Sequence, residues 1–269
     1  MTDGSMKRTL IILKQFLKKI AERLFPKATY ERRYRLWLKG EPELRLLPAM
    51  CRTDAIAIDV GANEGFFSEH LLPVSLNVVA FEPQPQMLSR LRARYANKME
   101  FVAVALSDRS GESELRYPVG SYMTATIAES NLDALKSGGV VETVRVPMRT
   151  LDSYRLSNVG FIKIDVEGHE EAVLHGGLDT LRREMPNLMI EIEERHAPGS
   201  LARVSDLLKG MGYDGFYLSE EALFPIGQFD PSQNQVINKS KTGQYINNFL
   251  FFPHERVEAV IADARLCLR

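Results

Sequence analysis

The stretch AIAIDVGANEGFF, residues 55–67, decides the fold, because an apolar run leads straight into Asp59, Gly61 and Gly65. Ile56, Ala57, Ile58 and Val60 suit a strand buried on both faces. Gly61 and Gly65 then permit a tight turn and the close approach of backbone, ligand and helix. The helix expected next presents free N–H groups to polar ligand atoms. Strand, glycine turn and helix together read as a nucleotide-cofactor site.

The spacing decides which nucleotide. A dinucleotide fingerprint needs a middle glycine so that backbone can approach a pyrophosphate, but Asn63 holds that position in G-A-N-E-G. An adenosyl ligand with an amino-acid tail fits better, with Asp59 near an ammonium group. About twenty residues on, the apolar run NVVAF ends in Glu82 and Pro83, where a carboxylate can accept both hydroxyls of an unphosphorylated ribose. A third strand, VGFIKI at residues 159–164, ends in Asp165-Val166-Glu167-Gly168-His169-Glu170 before an amphipathic helix. Ligands of open parallel sheets bind outside the carboxyl ends of the strands, so Asp59, Glu82 and Asp165 are expected to line one crevice.

The run FIKIDVEGHEEAVLHGG, preceded by RTLDSY and followed by PNLMIEIEE, resembles the FkbM family of S-adenosylmethionine-dependent methyltransferases, with AIDVGANEG in its expected place. The resemblance covers roughly residues 53–253. It implies methylation of hydroxyls on sugars, glycolipids, polyketides or other secondary metabolites, with S-adenosyl-L-methionine as cofactor and S-adenosyl-L-homocysteine as product. By position it implies that Asp59, Gly61, Ala62, Asn63 and Gly65 surround the methionine part. Glu82 would bind the ribose, Ser107 and Asp108 would lie near the adenine, and Asp165 would sit beside the reacting methyl.

Composition describes an ordinary globular enzyme: 269 residues, 45% hydrophobic and 26% charged, enough for a substantial core. Cys51 and Cys267 are too few for a metal cluster or disulfide framework and suit a reducing, cytoplasmic compartment. Neither sits in a nucleophile motif. The net charge is −1, but residues 1–50 carry twelve Lys and Arg against five Asp and Glu, an excess of +7 that leaves −8 on the rest. We therefore divide the chain into a basic helical extension, residues 1–50, and a methyltransferase domain, residues 51–269. In residues 7–25, Leu10, Leu13, Leu17, Ile20 and Leu24 share one helical face, away from most of Lys14, Lys18, Lys19 and Arg23. Such a helix serves either as a cap on the domain or a second subunit, or as a peripheral contact with an anionic membrane. No apolar run is long enough to span a bilayer. Nucleic acid is not an expected partner: Tyr30, Tyr34 and Trp37 among arginines read more simply as a packing stripe.

Strands are expected near residues 55–60, 77–82, 99–105, 159–165, 187–193, 214–218 and 246–252. Helices are expected near 65–72, 84–96, 168–184 and 199–211. Residues 112–119 and 140–148 alternate well enough to form an extra antiparallel pair. The fold expected is α/β, a doubly wound, mostly parallel sheet of Rossmann-like type, and the resemblance implies an antiparallel last strand, as in class I methyltransferases. Residues 120–139, with Ser121, Tyr122, Thr124 and Thr126, and residues 223–244 are candidate lids over the acceptor.

Transfer to a hydroxyl needs in-line alignment and a base. Asp165, Glu167, His169, Glu191, Glu193 and His196 are the candidates at the ligand edge. His196 has the intrinsic pKa range of a neutral-pH base, whereas His169 begins a helix, where positive charge is disfavoured. Asp165 and Glu191 at neighbouring strand ends are an alternative site for a divalent cation, which the sequence does not require. Asp165 is followed by Val-Glu-Gly rather than Pro-Pro-aromatic, which favours an oxygen acceptor over a nitrogen one. Two other classes remain: a NAD-dependent oxidoreductase, disfavoured by Asn63, and a non-catalytic adenosyl-binding scaffold.

Overall fold

The computed structural model describes residues 31, 34–35, 40–118, 124–128, 140–236 and 245–269. The amphipathic helix expected over residues 7–25 lies outside them. Two compact units divide after Pro42, so residues 43–50, assigned to the extension on charge alone, belong with the larger unit. Leu46, Leu47 and Met50 are buried there, and α1 (Leu47–Met50) packs against the last helix, α8 (Val257–Cys267). Helix α8 was not among the elements expected.

The larger unit is built on an eight-stranded sheet in the order β10-β9-β11-β8-β7-β1-β2-β3. The central strands are β1 (Ile56–Val60), β2 (Asn77–Phe81), β3 (Glu100–Val102), β7 (Val159–Ile164) and β8 (Asn187–Glu191), and they run parallel. Strand β7 is buried at all six positions, as a strand covered on both faces must be. The last strand, β11 (Asn248–Pro253), inserts antiparallel between β8 and β9 (Tyr213–Ser219). This is the doubly wound α/β order with an antiparallel last strand that the sequence led us to expect.

Helix α2 (Phe66–Leu71) follows β1 and α3 (Pro85–Tyr95) follows β2. The single helix expected over 168–184 is two, α4 (Glu170–His175) and α5 (Leu178–Glu184). The break lies at Gly176, where a Cβ would stand 1.9 Å from the Ser107 carbonyl oxygen, so the chain passes there only as glycine. Helix α6 (Ser200–Gly210) then leads into β9.

The strand expected over 99–105 also divides. Its second part, β4 (Ala105–Leu106), leaves the main sheet and pairs with β6 (Val141–Arg149) in a three-stranded sheet completed by β5 (Gly111–Pro118). Strands β5 and β6 are the extra antiparallel pair. Of the first candidate lid only residues 124–128 are described, and Thr126 pairs with Arg116 of β5. The second begins as edge strand β10 (Ala222–Pro225), continues into α7 (Pro231–Asn234), and its residues 237–244 lie outside the described residues. Among the described residues no helix is long and apolar enough to cross a membrane.

Candidate active site

Sheet register brings the acidic strand ends together. Val60 is paired with Phe81 on one side and Ile164 on the other. Both Gly61 and Ala62 donate their N–H groups to the Phe81 carbonyl, at 3.0 and 3.1 Å, and the Asp165 N–H donates to the Val60 carbonyl at 3.0 Å. Gly61 has φ +81°, and a Cβ there would sit 1.8 Å from the Asp165 carbonyl oxygen. Asn63 follows at φ +50°, a left-handed position that asparagine tolerates better than most residues. Gly65, at φ +85°, is pressed against Leu91 and Tyr95 of α3.

Glu82 locks this turn. Its carboxylate accepts the N–H of Asn63 at 2.7 Å and that of Gln84 at 2.8 Å. It is 5% exposed, and burial raises its pKa to about 7 against the pull of those two hydrogen bonds. Each carboxylate oxygen keeps a further lone pair for a ligand hydroxyl.

Gly61, Asn63, Glu82, Asp165, Glu167 and His169 line one pocket of about 590 Å³, counted to its open mouth. Val104, Leu106 and Leu115 supply apolar wall, and Ala125, Thr126 and Ile127 of the inserted segment line it too. The sequence had pointed to that segment only as a possible lid.

Other expected residues stand behind this lining. Asp59 is buried and accepts the Ser68 hydroxyl at 2.5 Å, while its Oδ1 is buried without a hydrogen-bond partner. Burial raises the Asp59 pKa, opposed by Lys163 and Ser68. Lys163, 1% exposed, bridges the strand ends: its ammonium is 2.9 Å from Asp165 Oδ2 and 4.3 Å from the Phe67 ring centroid. Burial alone would lower its pKa, but Asp165, Asp59 and Glu191 more than offset that and hold it raised. Ser107 is buried with its hydroxyl 2.9 Å from His169 Nε2, and Asp108 is exposed and paired with Arg109, so neither borders the pocket.

The candidate bases separate. Glu167, at φ +56°, is held well above the ordinary carboxylate range by burial and by Asp165, Glu193 and Glu170. His196 Nδ1 lies 3.2 Å from Glu167 Oε2, and burial lowers the pKa of its ring. His196 is outside the pocket lining, so it reaches the pocket through Glu167. His169, also lowered by burial, is bonded to Ser107. Glu191 accepts the Asn247 amide at 2.8 Å. Glu193 is held by Arg195 and the Tyr245 hydroxyl, which outweigh burial and lower its pKa. Burial pushes the Cys51 thiol up to about 12, far from a nucleophile's range. Among the described residues no group of three or more His, Cys, Asp or Glu is arranged to hold a metal ion.

Sequence reasoning assigned no role to Ser68, Lys163 or Glu170, and it pointed to Thr126 and Tyr245 only through the candidate lid segments. Two had a visible signal: a lysine inside the apolar run FIKI needs a buried counter-charge, and Ser68 lies one turn into the helix after Asp59. Tyr245 and Thr126 arrive from distant loops, and nothing in the sequence pointed to their partners Glu193 and Glu167.

The profile described as "Methyltransferase FkbM domain" matches residues 59–214. The antimetabolite synthetase AmbE of Pseudomonas aeruginosa is 28% identical over 202 residues, 60% of this chain but only 10% of that protein. The 31-O-demethyl-FK506 methyltransferase FkbM of Streptomyces tacrolimicus is 30% identical over 196 residues, covering 60% of this chain and 74% of that one. The hexuronic acid methyltransferase AglP of Haloferax volcanii is 29% identical over 153 residues, 54% of this chain and 59% of that one. The family match spans more than half the sequence and contains every residue that lines the pocket, and on that basis the chain belongs to the FkbM methyltransferase family.

Proposed function

We propose that this protein is an S-adenosyl-L-methionine-dependent O-methyltransferase acting on a hydroxyl of a sugar, glycolipid or secondary metabolite. The observation that carries the reading is Glu82, a buried carboxylate that ties the left-handed Asn63 turn and keeps lone pairs for a ribose at the edge of an apolar-walled pocket. The cofactor fits the residues present. Asn63 lines the pocket with its buried Oδ1 lacking a hydrogen-bond partner, as does Asp59 Oδ1 behind it, and both are acceptors suited to a ligand ammonium group. Glu82 would hold the ribose hydroxyls, the apolar wall of Val104, Leu106, Leu115 and Ile127 the adenine, and Asp165 would border the reacting end.

When bound, S-adenosyl-L-methionine supplies an electrophilic methyl group on a sulfonium sulfur. The chain's own part is to align the acceptor and take its proton. Glu167 suits that role: it lines the pocket, and its raised pKa makes it a stronger base than an ordinary carboxylate. His196, neutral because burial lowers its pKa, lies against Glu167 without adding a cation that would weaken it. Lys163 neutralises Asp165 and Asp59 from behind, so that the acidic edge does not repel an electron-rich acceptor.

Two relatives whose names describe methyl transfer to 31-O-demethyl-FK506 and to a hexuronic acid support an oxygen acceptor. The test is transfer of radiolabelled methyl from S-adenosyl-L-methionine to a panel of sugars, glycolipids and polyketides. Glu167→Gln should retain S-adenosylhomocysteine binding and lose most transfer. Equal transfer by Glu167→Gln would remove Glu167 as the base, and failure of the wild type to bind S-adenosylhomocysteine would remove the reading itself.

A further inference from the structure

The Glu167–Gly168 peptide is clamped from opposite sides. Its carbonyl accepts the Thr126 hydroxyl at 2.8 Å, and its N–H donates to Glu170 Oε1 at 2.9 Å. Both flanking residues are left-handed, Glu167 at φ +56° and Gly168 at φ +97°. A non-glycine residue holds that conformation only where its surroundings over-determine it. Rotation of this peptide would swing the Glu167 carboxylate away from His196 Nδ1, now at 3.2 Å.

The two halves of the clamp differ in origin. Glu170 opens helix α4 directly after this turn, whereas Thr126 comes from the segment inserted between β5 and β6. Thr126 is 1% exposed, and its backbone exchanges hydrogen bonds with Arg116 at 2.9 and 3.0 Å. Its hydroxyl has a single proton, donated to Glu167, and it accepts the Ala128 N–H at 2.9 Å. Its neighbours Ala125 and Ile127 line the pocket and pack against the cluster that contains Leu115. A ligand pressing on this wall therefore bears on the residue that fixes the Glu167 peptide.

We propose that Thr126 is a positioning residue through which the inserted hairpin couples occupation of the adenosyl pocket to the placement of the Glu167–His196 pair. The inference rests on the cofactor reading above for the identity of the ligand, while the clamp itself does not. Its consequence is that the base is set in place when the cofactor side of the pocket is filled. This ordering suits a transfer in which acceptor and methyl must be aligned together.

The test follows the ring of His196 by NMR in the full chain labelled on its five histidines, with His196→Gln supplying the assignment. S-adenosylhomocysteine is added to wild type, Thr126→Val and Thr126→Ser. We expect the ligand to move the His196 signal in wild type and in Thr126→Ser, which keeps the hydroxyl. In Thr126→Val the signal should be displaced before ligand is added, and half or more of the ligand-induced movement should be lost. Thr126→Ala removes the hydroxyl without a methyl against the Glu167 carbonyl and makes the same prediction if the valine variant does not fold. A His196 signal and ligand response in Thr126→Val equal to wild type would overturn the proposal, as would ligand binding that leaves His196 unmoved in wild type. If S-adenosylhomocysteine does not bind at all, the cofactor reading fails. An unshifted His196 in ligand-free Thr126→Val would then refute the clamp separately.

Discussion

Replacing Gly61 by alanine tests the junction that joins the first and fourth central strands into one site. Two costs are legible. At φ +81° an alanine pays about 1–2 kcal/mol for a left-handed backbone. Its Cβ would also lie 1.8 Å from the carbonyl oxygen and 2.9 Å from the carbonyl carbon of Asp165. That neighbour is backbone, fixed by the 3.0 Å bond from the Asp165 N–H to Val60, so no rotamer change relieves the clash. Overpacking of this kind costs about 1–3 kcal/mol. Together they amount to a loss of roughly 2–5 kcal/mol, a large share of the roughly 5–15 kcal/mol that holds a domain folded. Urea unfolding followed by circular dichroism measures the loss directly. Gly210→Ala is the control: nothing lies within 4 Å of its added Cβ at the end of α6, and it should be neutral or stabilising by up to about 1 kcal/mol. If Gly61→Ala unfolds within about 0.5 kcal/mol of wild type, the close approach of the two strand ends is not as described.

Three further outcomes follow from the same geometry. Ser68→Ala removes the 2.5 Å donor to the buried Asp59 carboxylate and should cost about 1–3 kcal/mol in urea unfolding, and a neutral effect would mean that Asp59 is satisfied from elsewhere. Lys163→Met leaves Asp59 and Asp165 without their buried cation and should cost about 3–5 kcal/mol, and an unchanged melting curve would contradict the bridging role. The third concerns pH in the ligand-free protein. Burial raises Glu170 from 4.5 to about 7, above its unfolded value, so its contribution is full below pH 4.5 and is lost as pH rises through about 7. The shift corresponds to about 3 kcal/mol at 1.36 kcal/mol per unit. Glu170→Gln keeps an acceptor for Gly168 and Val166 but cannot titrate, so its stability should fall less than wild type's between pH 5 and 8, and parallel curves would count against it.

Much of the fold was legible because buried parallel strands leave a strong local trace. IAIDV, NVVAF and VGFIKI are largely apolar runs with an acid in or just after their last residues, and each is a strand with that acid near its carboxyl end. The helix break at Gly176–Gly177 was not legible, because a periodic pattern does not show that the Ser107 carbonyl blocks a side chain there. The strand near 99–105 was read as one because its turn at Val104 lacks glycine or proline.

The candidate site divides along the same line. Gly61, Asn63, Glu82 and Asp165 sit within a few residues of strand ends, so position in sequence fixed their position in space, and all four line the pocket. Asp59 points back to Ser68 because a strand's alternation sends neighbouring side chains to opposite faces, and Ser107, just past the end of β4, bonds to His169. Thr126 and Tyr245 reach Glu167 and Glu193 across 41 and 52 residues of chain, contacts that only the folded topology creates.

The central claim is that Glu82 marks an adenosyl site rather than a dinucleotide site. Isothermal titration of wild type and Glu82→Ala with S-adenosylhomocysteine and with NAD tests it most directly. The account predicts selective binding of S-adenosylhomocysteine to wild type, a loss of about tenfold or more in folded Glu82→Ala, equivalent to about 1.4 kcal/mol, and no comparable binding of NAD. Preferential binding of NAD, or equal binding of S-adenosylhomocysteine by folded Glu82→Ala, would contradict it.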